Sequence, residues 1–559
     1  MDLIFYLLAV TIGLLIYYAA NGHMQRKHYI ERLKREWGTV PESDYTSEKM
    51  EVVKAYYLTQ KEDYTDIDDI TWNDLDMDEI YQRINNTQSS LGEEYLYALL
   101  RKPCFDPAEL EERNRLMEFF QRDEAARLKV QEKLLKIGKL RRISAFEYAD
   151  KLCNKEPKSN LPHYLSILCV LFSFALIFIN PAVGVGLLLF FSIFNIVTYL
   201  RYKTDLENYL LIISFQLRLL DASEKLLKLD IPELMEYKNR LADDLKAFKR
   251  YKRGSSIVVA RNISGNPFEI LLDYYRMTTH HDLIKFNNMI GFFKKNREAM
   301  FRLFKTVGFL DSMTAAASFR ETVDYYCIPK LYHCNNQKPR LSVTDVYHPL
   351  IENAVPNSIT EDRCTLITGS NASGKSTFIK SLAVNQILSQ TIYTSLSRRF
   401  ESNYFVIYSS MALTDSILNN ESYFIVEIKS LKRILNNTKG KYPMLCFIDE
   451  VLRGTNTLER IAASSRILAS LSDENALCFA ATHDIELTYI LENCYSNYHF
   501  REKIEGDRVL FDYKLYRNRA VTKNAIKLLK LMGYSESIIK EAEEAADEYL
   551  RTGEWKVLE

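Results

Sequence analysis

Residues 364–383 read CTLITGSNASGKSTFIKSLA, and the rest of the chain is organised around them. Five residues suited to a buried strand, Cys364 to Thr368, run directly into Gly-x-x-x-x-Gly-Lys-Ser and then into a helical pattern. This is the strand–loop–helix context that a phosphate-binding loop requires. Gly369 and Gly374 let the backbone curl, so that the loop Gly369, Ser370, Asn371, Ala372, Ser373, Gly374, Lys375, Ser376 and Thr377 turns its N–H groups toward phosphate oxygens. The helix that follows adds its positive end. Lys375 reaches the terminal phosphates, and the Ser376 hydroxyl is placed to hold Mg²⁺.

Downstream, MLCFIDE (444–450) is an apolar strand that ends in two carboxylates. Burial beside apolar residues disfavours such a pair unless cations or water meet it. Asp449 suits the metal shell and Glu450 the polarisation of an attacking water. The turn LRGTNT (452–457) follows, and the next strand, LCFAAT, ends at His483. A lone histidine is usually structural, but this one lies at a strand end where a γ-phosphate would sit. With NYFVIYSS (403–410), these segments make an α/β sheet from about residue 341 onward, with its chemistry at the carboxyl ends of the strands.

The chain has 559 residues, with 73 Lys+Arg against 73 Asp+Glu and 47% hydrophobic residues. It is neither disordered nor a single small domain. Zero net charge removes any global electrostatic case for nucleic acid, so such a partner needs a local patch. The densest basic run is KAFKRYKR (246–253), either a solvated helix face or a phosphate contact. The 9 cysteines show no zinc spacing, as expected of free thiols in a reducing compartment.

Two regions predict membrane helices. LIFYLLAVTIGLLIYYAA (3–20) carries no charge and as a helix is about 27 Å long, with basic residues after it rather than before it. That is the pattern of an uncleaved anchor with its amino end outside. Between Lys158 and Arg201 there is no Asp, Glu, Lys or Arg. Two apolar runs flank Asn180-Pro181, with Gly184 and Gly186 assigned to the reversal. Lys155, Lys158, Arg201 and Lys203 put both flanks on the cytoplasmic side of a bacterial plasma membrane. The alternative is a hairpin buried in a soluble core. From 45 to 159, and again from about 202 to 320, the pattern is helical and amphipathic. Pro107 after Asp106 starts one helix, and breaks fall near Gly254 and Gly265-Asn266-Pro267.

Taken together, these motifs resemble the MutS family of ATPases. LITGSNASGKSTFIKSLA is similar to that family's phosphate loop, and CFIDEVLRGTNTLE to its acidic strand, with Leu452 where a glycine is common. ATHDIELT resembles its histidine motif, and DSILNNESYFIVEI (415–428) a loop and helix that carry Ser422, Phe424 and Glu427 in register. DVYHPLI (345–351), FLDSMTAAASFRE (309–321) and residues 90–120 extend the likeness.

The resemblance implies ATP and Mg²⁺ as ligands, an α/β P-loop ATPase domain of ABC type, and adenine contacts from His348 and Pro349. It also implies a head-to-tail homodimer in which Ser422 meets the γ-phosphate bound by the other subunit. Lys375, Glu450 and His483 become the catalytic set, with Ser376 and Asp449 on the metal. The expected order is a membrane anchor (1–22), the first part of a helical core (45–159), a transmembrane hairpin (160–201), and a helical arm and connector (202–340). The ATPase domain (341–521) and a helical dimerisation appendage (522–559) complete it. The family's mismatch-reading domain and its Phe-x-Glu wedge have no counterpart. Duplex or branched DNA enters as a partner by resemblance, and a nucleotide-switched membrane scaffold without nucleic acid is the alternative.

Overall fold

The computed structural model describes the chain apart from residues 1–20, 22, 43–44, 61–62, 157, 250–273, 335–337, 371–372, 412–422, 454, 506–507, 520–525, 527–532, 554, 556 and 558–559. The anchor at 3–20, the breaks near Gly254 and Gly265, and Arg250–Arg253 of the basic run therefore lie outside the described residues. The chain forms two compact units: residues 1–61, 81–99 and 112–322, and residues 62–80, 100–111 and 323–559.

The first unit is helical. Its central element is the helix Arg297–Arg320, in which every residue from Leu310 to Arg320 is buried. The alanines at 315, 316 and 317 allow neighbours to approach from all sides. The one carboxylate in that stretch, Asp311, is fully buried and accepts from the Gln88 N–H (2.9 Å), the Ser89 N–H (2.8 Å) and the Ser89 hydroxyl (2.6 Å). It thereby satisfies orphan donors at the start of the helix Ser90–Arg101. Burial pushes its carboxyl up to about 6, against the pull of these hydrogen bonds. Glu94 works the same way on the helix Ala145–Asn154, accepting from the Ser144 hydroxyl at 2.5 Å and the Ala145 N–H at 2.6 Å, with burial raising it to about 8.

The apolar hairpin belongs to this unit. Leu161–Leu176 is followed by a short turn and then by one continuous helix, Pro181–Leu227. Asn180 caps the second helix through the Val183 N–H at 3.4 Å. Of the two glycines assigned to the reversal, Gly184 lies in the first turn of that helix, where a Cβ would meet the Ile177 backbone nitrogen at 2.5 Å, whereas Gly186 meets nothing. The segment Pro181–Tyr202 is the one helix among the described residues long and apolar enough to cross a membrane, with 22 residues at mean hydropathy 2.1. Leu161–Leu176 is shorter. Among the described residues nothing covers their outer face: Leu168 is 64% exposed and Ile193 61%, and Phe178 in the turn between them 80%. Three polar side chains of the hairpin, His163, Ser173 and Asn195, are buried. Asn195, fully buried, accepts from the Ser166 hydroxyl and donates to the Thr278 carbonyl at 2.9 Å.

The second unit is α/β. Its main sheet runs β10 (Arg508–Arg517), β9 (Tyr495–Glu505), β4 (Cys364–Thr368), β8 (Ala476–Thr482), β7 (Met444–Asp449), β6 (Val406–Ser410). All neighbours are parallel except the β9–β10 hairpin. CTLIT and ALCFAAT are buried at every position, as parallel strands covered on both faces must be. A smaller sheet orders β1 (Lys330–Tyr332), β5 (Arg399–Asn403), β2 (Leu341–Val346) and β3 (Asn357–Glu361). Residues 62–80 and 100–111 join this unit because their polar groups bind its edge. Asp74 accepts from the Ser409 hydroxyl at 2.7 Å and the Met411 N–H at 2.9 Å, Asp68 pairs with Arg433 at 2.7 Å, and the Cys104 N–H donates to the Gln390 carbonyl.

Asp311→Ala leaves the Gln88 and Ser89 donors without an acceptor and should cost about 2–3 kcal/mol, read from thermal unfolding. Because the folded carboxyl titrates above its ordinary value, wild type should lose stability relative to Asp311→Asn as pH rises from near 4 through 6. A difference constant across that window would refute the assignment.

Candidate nucleotide-binding site

The parallel sheet sets the site. In register, Thr368 of β4 pairs with Thr482 of β8, and Asp449 of β7 with Ala481, so the loop after β4, the acids after β7 and His483 after β8 emerge at one edge. The loop needs its glycines: Gly369 has φ 148° and a Cβ there would meet the Phe500 carbonyl oxygen at 2.9 Å. Gly374 has φ 105°, and its Cβ would press on the Tyr513 ring at 3.3 Å. Gly374 then caps the buried helix Lys375–Thr391.

A cavity of about 700 Å³ opens over this edge. Its wall includes Ser370, Gly374, Lys375, Ser376, Thr377, Asp449, Glu450 and His348, so most of the residues read from the motifs converge there. Lys375 is 4% exposed, and its ammonium donates to the Gly369 and Ser370 carbonyls at 2.7 and 2.9 Å. Burial holds its pKa below the ordinary value, against the opposing pull of Asp449, Glu450 and Glu502. Asp449 is raised by burial while accepting from the Ser376 hydroxyl. Ser373 Oγ and His348 Nε2 are buried without a hydrogen-bond partner. His348 accepts the Leu350 N–H at Nδ1, and burial, followed by the nearby Lys380 charge, lowers it to about 4, so the ring is neutral and carries its proton on Nε2.

Glu450 sits at φ 56°, held by its N–H on the Ala481 carbonyl at 2.9 Å. His483 Nδ1 lies 3.5 Å from Glu450 Oε1, and Arg453 Nε lies 2.8 Å from Oε2. Asp484, next to His483, is taken by Arg460 at 2.7 Å. Pro349 is buried and is not part of the cavity wall, which takes Val346, Tyr347, His348 and Ile351 from the same segment. His483 touches Glu450 but is not part of the wall. Asn371, Ala372 and Ser422 lie outside the described residues.

The carboxyl-terminal region matches the family model of MutS domain V over residues 365–550. Over these residues the chain is similar to the MutS family. Similar proteins include DNA mismatch repair protein MutS of Caldicellulosiruptor bescii, 29% identical over 44% of this chain and 30% of the relative. The same-named protein of Desulforamulus reducens is 31% identical over 36% and 25%, and MutS protein homolog 4 of Mus musculus 30% identical over 45% and 27%. The chain thus matches less than a third of the length of these curated relatives.

Within this region, Glu427 is in register in the 415–428 motif but carries no assigned role there, and two contributors, Glu502 and Tyr513, escape the motif reading. Glu427, 3% exposed, accepts from the Leu452 N–H and from the Arg453 N–H at 3.1 Å, tying the helix Tyr423–Asn436 to the loop after β7. That loop is strained: Leu452 has φ 58°, a conformation glycine adopts freely, which explains why a glycine is common there. Glu502 accepts from the Ser370 hydroxyl at 2.6 Å, and Tyr513 joins the cavity wall. Both arrive through the β9–β10 hairpin and carry no local signature. Glu427 had a signal, its fixed place five residues after Ser422.

Glu427→Ala removes the acceptor of two backbone N–H groups and should cost about 2 kcal/mol. Hydrogen exchange at Leu452 and Arg453 should speed up accordingly, while Glu427→Gln retains much of the protection. Unchanged exchange in the alanine variant would contradict the tie.

Proposed function

We propose that the chain is a membrane-anchored MutS-family ATPase that binds and hydrolyses Mg²⁺-ATP as a head-to-tail homodimer, with duplex or branched DNA as the partner of its helical arms, in a mismatch-repair-like role. The single observation that carries the ATPase reading is the convergence of Lys375, Ser376, Asp449 and Glu450 on one cavity behind a glycine loop. The residues suit the ligand. A buried ammonium with only carbonyl oxygens for partners, an orphan Ser373 hydroxyl and an orphan His348 N–H are all donors waiting for an anion and a base.

In this proposal Lys375 leaves the Gly369 and Ser370 carbonyls and turns to the terminal phosphates. Ser376 and Asp449 would hold Mg²⁺, which would supply neutralisation of the phosphate charge. Glu450 polarises a water and takes its proton as the water oxygen attacks the γ-phosphorus and the bond to the ADP oxygen breaks. Arg453 must first rotate away from the Glu450 carboxylate. His483, against the other carboxylate oxygen, orients that group, and Ser422 of the second subunit completes the site.

Membrane attachment is supported by the uncovered apolar face of the hairpin at 161–202, together with the uncharged segment at 3–20. The DNA reading rests on relatives that are named as DNA mismatch repair proteins. Of the basic run, Lys246 is paired with Asp243 at 2.7 Å.

Lys375→Ala should abolish ATP binding, and Glu450→Gln should bind ATP but turn it over about 10²–10⁴-fold more slowly, checked by equilibrium binding and single-turnover hydrolysis. Rapid turnover by the glutamine variant would remove Glu450 from its role. Filter binding of linear and branched duplexes should weaken steeply as salt rises. No binding at low salt would remove DNA as a partner.

A further inference from the structure

The glycine loop is held from outside by a strand that carries none of its motifs. β9 runs parallel to β4, with His499 opposite Thr368, the last strand residue before the loop. The next residue, Phe500, sets its ring edge-on to Phe378 of the helix after the loop, with centroids 5.9 Å apart. Side chains two apart on a strand share a face, so Glu502 returns to the same side as Phe500 and meets the loop at Ser370. The Ser370 hydroxyl donates to Glu502 Oε2 at 2.6 Å. The hairpin that brings Glu502 there is itself fastened. Asn357 of β3 donates to the Tyr513 carbonyl at 2.9 Å and accepts from the Leu515 N–H at 2.8 Å, across the irregular step of β10 between Phe511 and Leu515.

The contact has a chemical direction. A hydroxyl has one proton to give, and a carboxylate accepts without giving one back. Ser370, which stands on the cavity wall, therefore spends its donor on Glu502 and has only lone pairs left for the cavity. Its carbonyl is occupied as well, by the Lys375 ammonium at 2.9 Å and the Ser373 N–H at 3.2 Å. Glu502 is half-buried, one hydroxyl behind the wall, and its neighbour across the hairpin is Phe511. Among the described residues no cation pairs with it. Its charge nevertheless reaches the cavity, since it acts on Lys375 after those of Asp449 and Glu450. Those two acids have parts in the proposed hydrolysis, and Glu502 has none.

We propose that Glu502 is a positioning residue that weakens the site's hold on phosphate, by withdrawing the Ser370 donor from the cavity and by setting a negative charge behind the loop. The proposal rests on the cavity's being the nucleotide site. The two effects share a sign, because a diverted donor and a like charge each raise the free energy of a bound anion. The ligand most affected in use is the nucleoside diphosphate left after cleavage, whose departure reopens the site. Asp449 and Glu450 still act on Lys375 when Glu502 is replaced, so the ammonium that meets the phosphates is kept.

The full chain, purified in mild detergent, would be titrated with Mg²⁺-ADP at equilibrium across a salt series. Glu502→Gln should bind about tenfold more tightly than wild type, because the charge is gone and the amide can donate to Ser370 Oγ, which frees the serine proton for a phosphate oxygen. Glu502→Asp keeps the charge on a shorter stem and should bind no more tightly than wild type. The gain of the glutamine variant should shrink as salt rises, which a purely structural change would not produce. Binding by Glu502→Gln at or below the wild-type affinity overturns the proposal, and so does equal tightening by Glu502→Asp or a gain indifferent to salt. Thermal unfolding of both variants should match wild type. The two readings fail differently. Absence of Mg²⁺-ADP binding by wild type overturns both, whereas wild-type binding that Lys375→Ala abolishes and Glu502→Gln leaves unchanged overturns this one alone.

Discussion

Lys375 opens the helix after the glycine loop, and Asp449 and Glu450 stand at the end of a strand whose other residues are apolar. Burial works against the lysine and Asp449: it lowers the first and raises the second. The ammonium donates to two backbone carbonyls, and Arg453 and His483 share the carboxylate of Glu450. Such an arrangement is tense in a specific sense. Its donors are satisfied by weak partners that a triphosphate would replace with strong ones. The left-handed backbone at Glu450 and Leu452 adds local strain, which Glu427 restrains from the neighbouring helix. That restraint gives the helix Tyr423–Asn436 a direct hold on the loop that follows Glu450.

The helical unit answers the same problem differently. Asp311 and Glu94 are buried carboxylates that serve helix starts, converting a desolvation cost into fixed entry points for two helices. Further out, the helix that follows the predicted anchor is strapped to the helix Glu124–Ile137. Arg26 pairs with Glu132 at 3.3 Å, Lys34 with Glu124 at 2.8 Å, and the Arg127 guanidinium lies 3.7 Å over the Trp37 ring. Much of the basic stretch after the first apolar run is thus occupied by the protein itself. The hairpin's second helix, 47 residues long, passes from the exposed apolar zone into the helical core without a break.

What the sequence determined by itself follows from local rules. The glycine loop, the paired acids and the apolar strands announce themselves because a phosphate cradle, a metal ligand and a doubly covered strand each demand particular residue types within a few positions. The uncharged hairpin is legible for the same reason, since length and hydropathy are local properties. Tertiary structure alone decided what depends on strand order and long-range packing. Placing β9 beside β4 brings Glu502 and Tyr513 to the loop from more than a hundred residues away, with no motif to mark them. Residues 62–80 read as part of a helical core, yet Thr71 and Asp74 bind the exposed edge of β6, because an open strand edge must be satisfied by whatever segment can reach it. Local chemistry is written in neighbours along the chain, whereas the partners of a sheet edge or of a buried carboxylate are chosen only when the chain closes on itself.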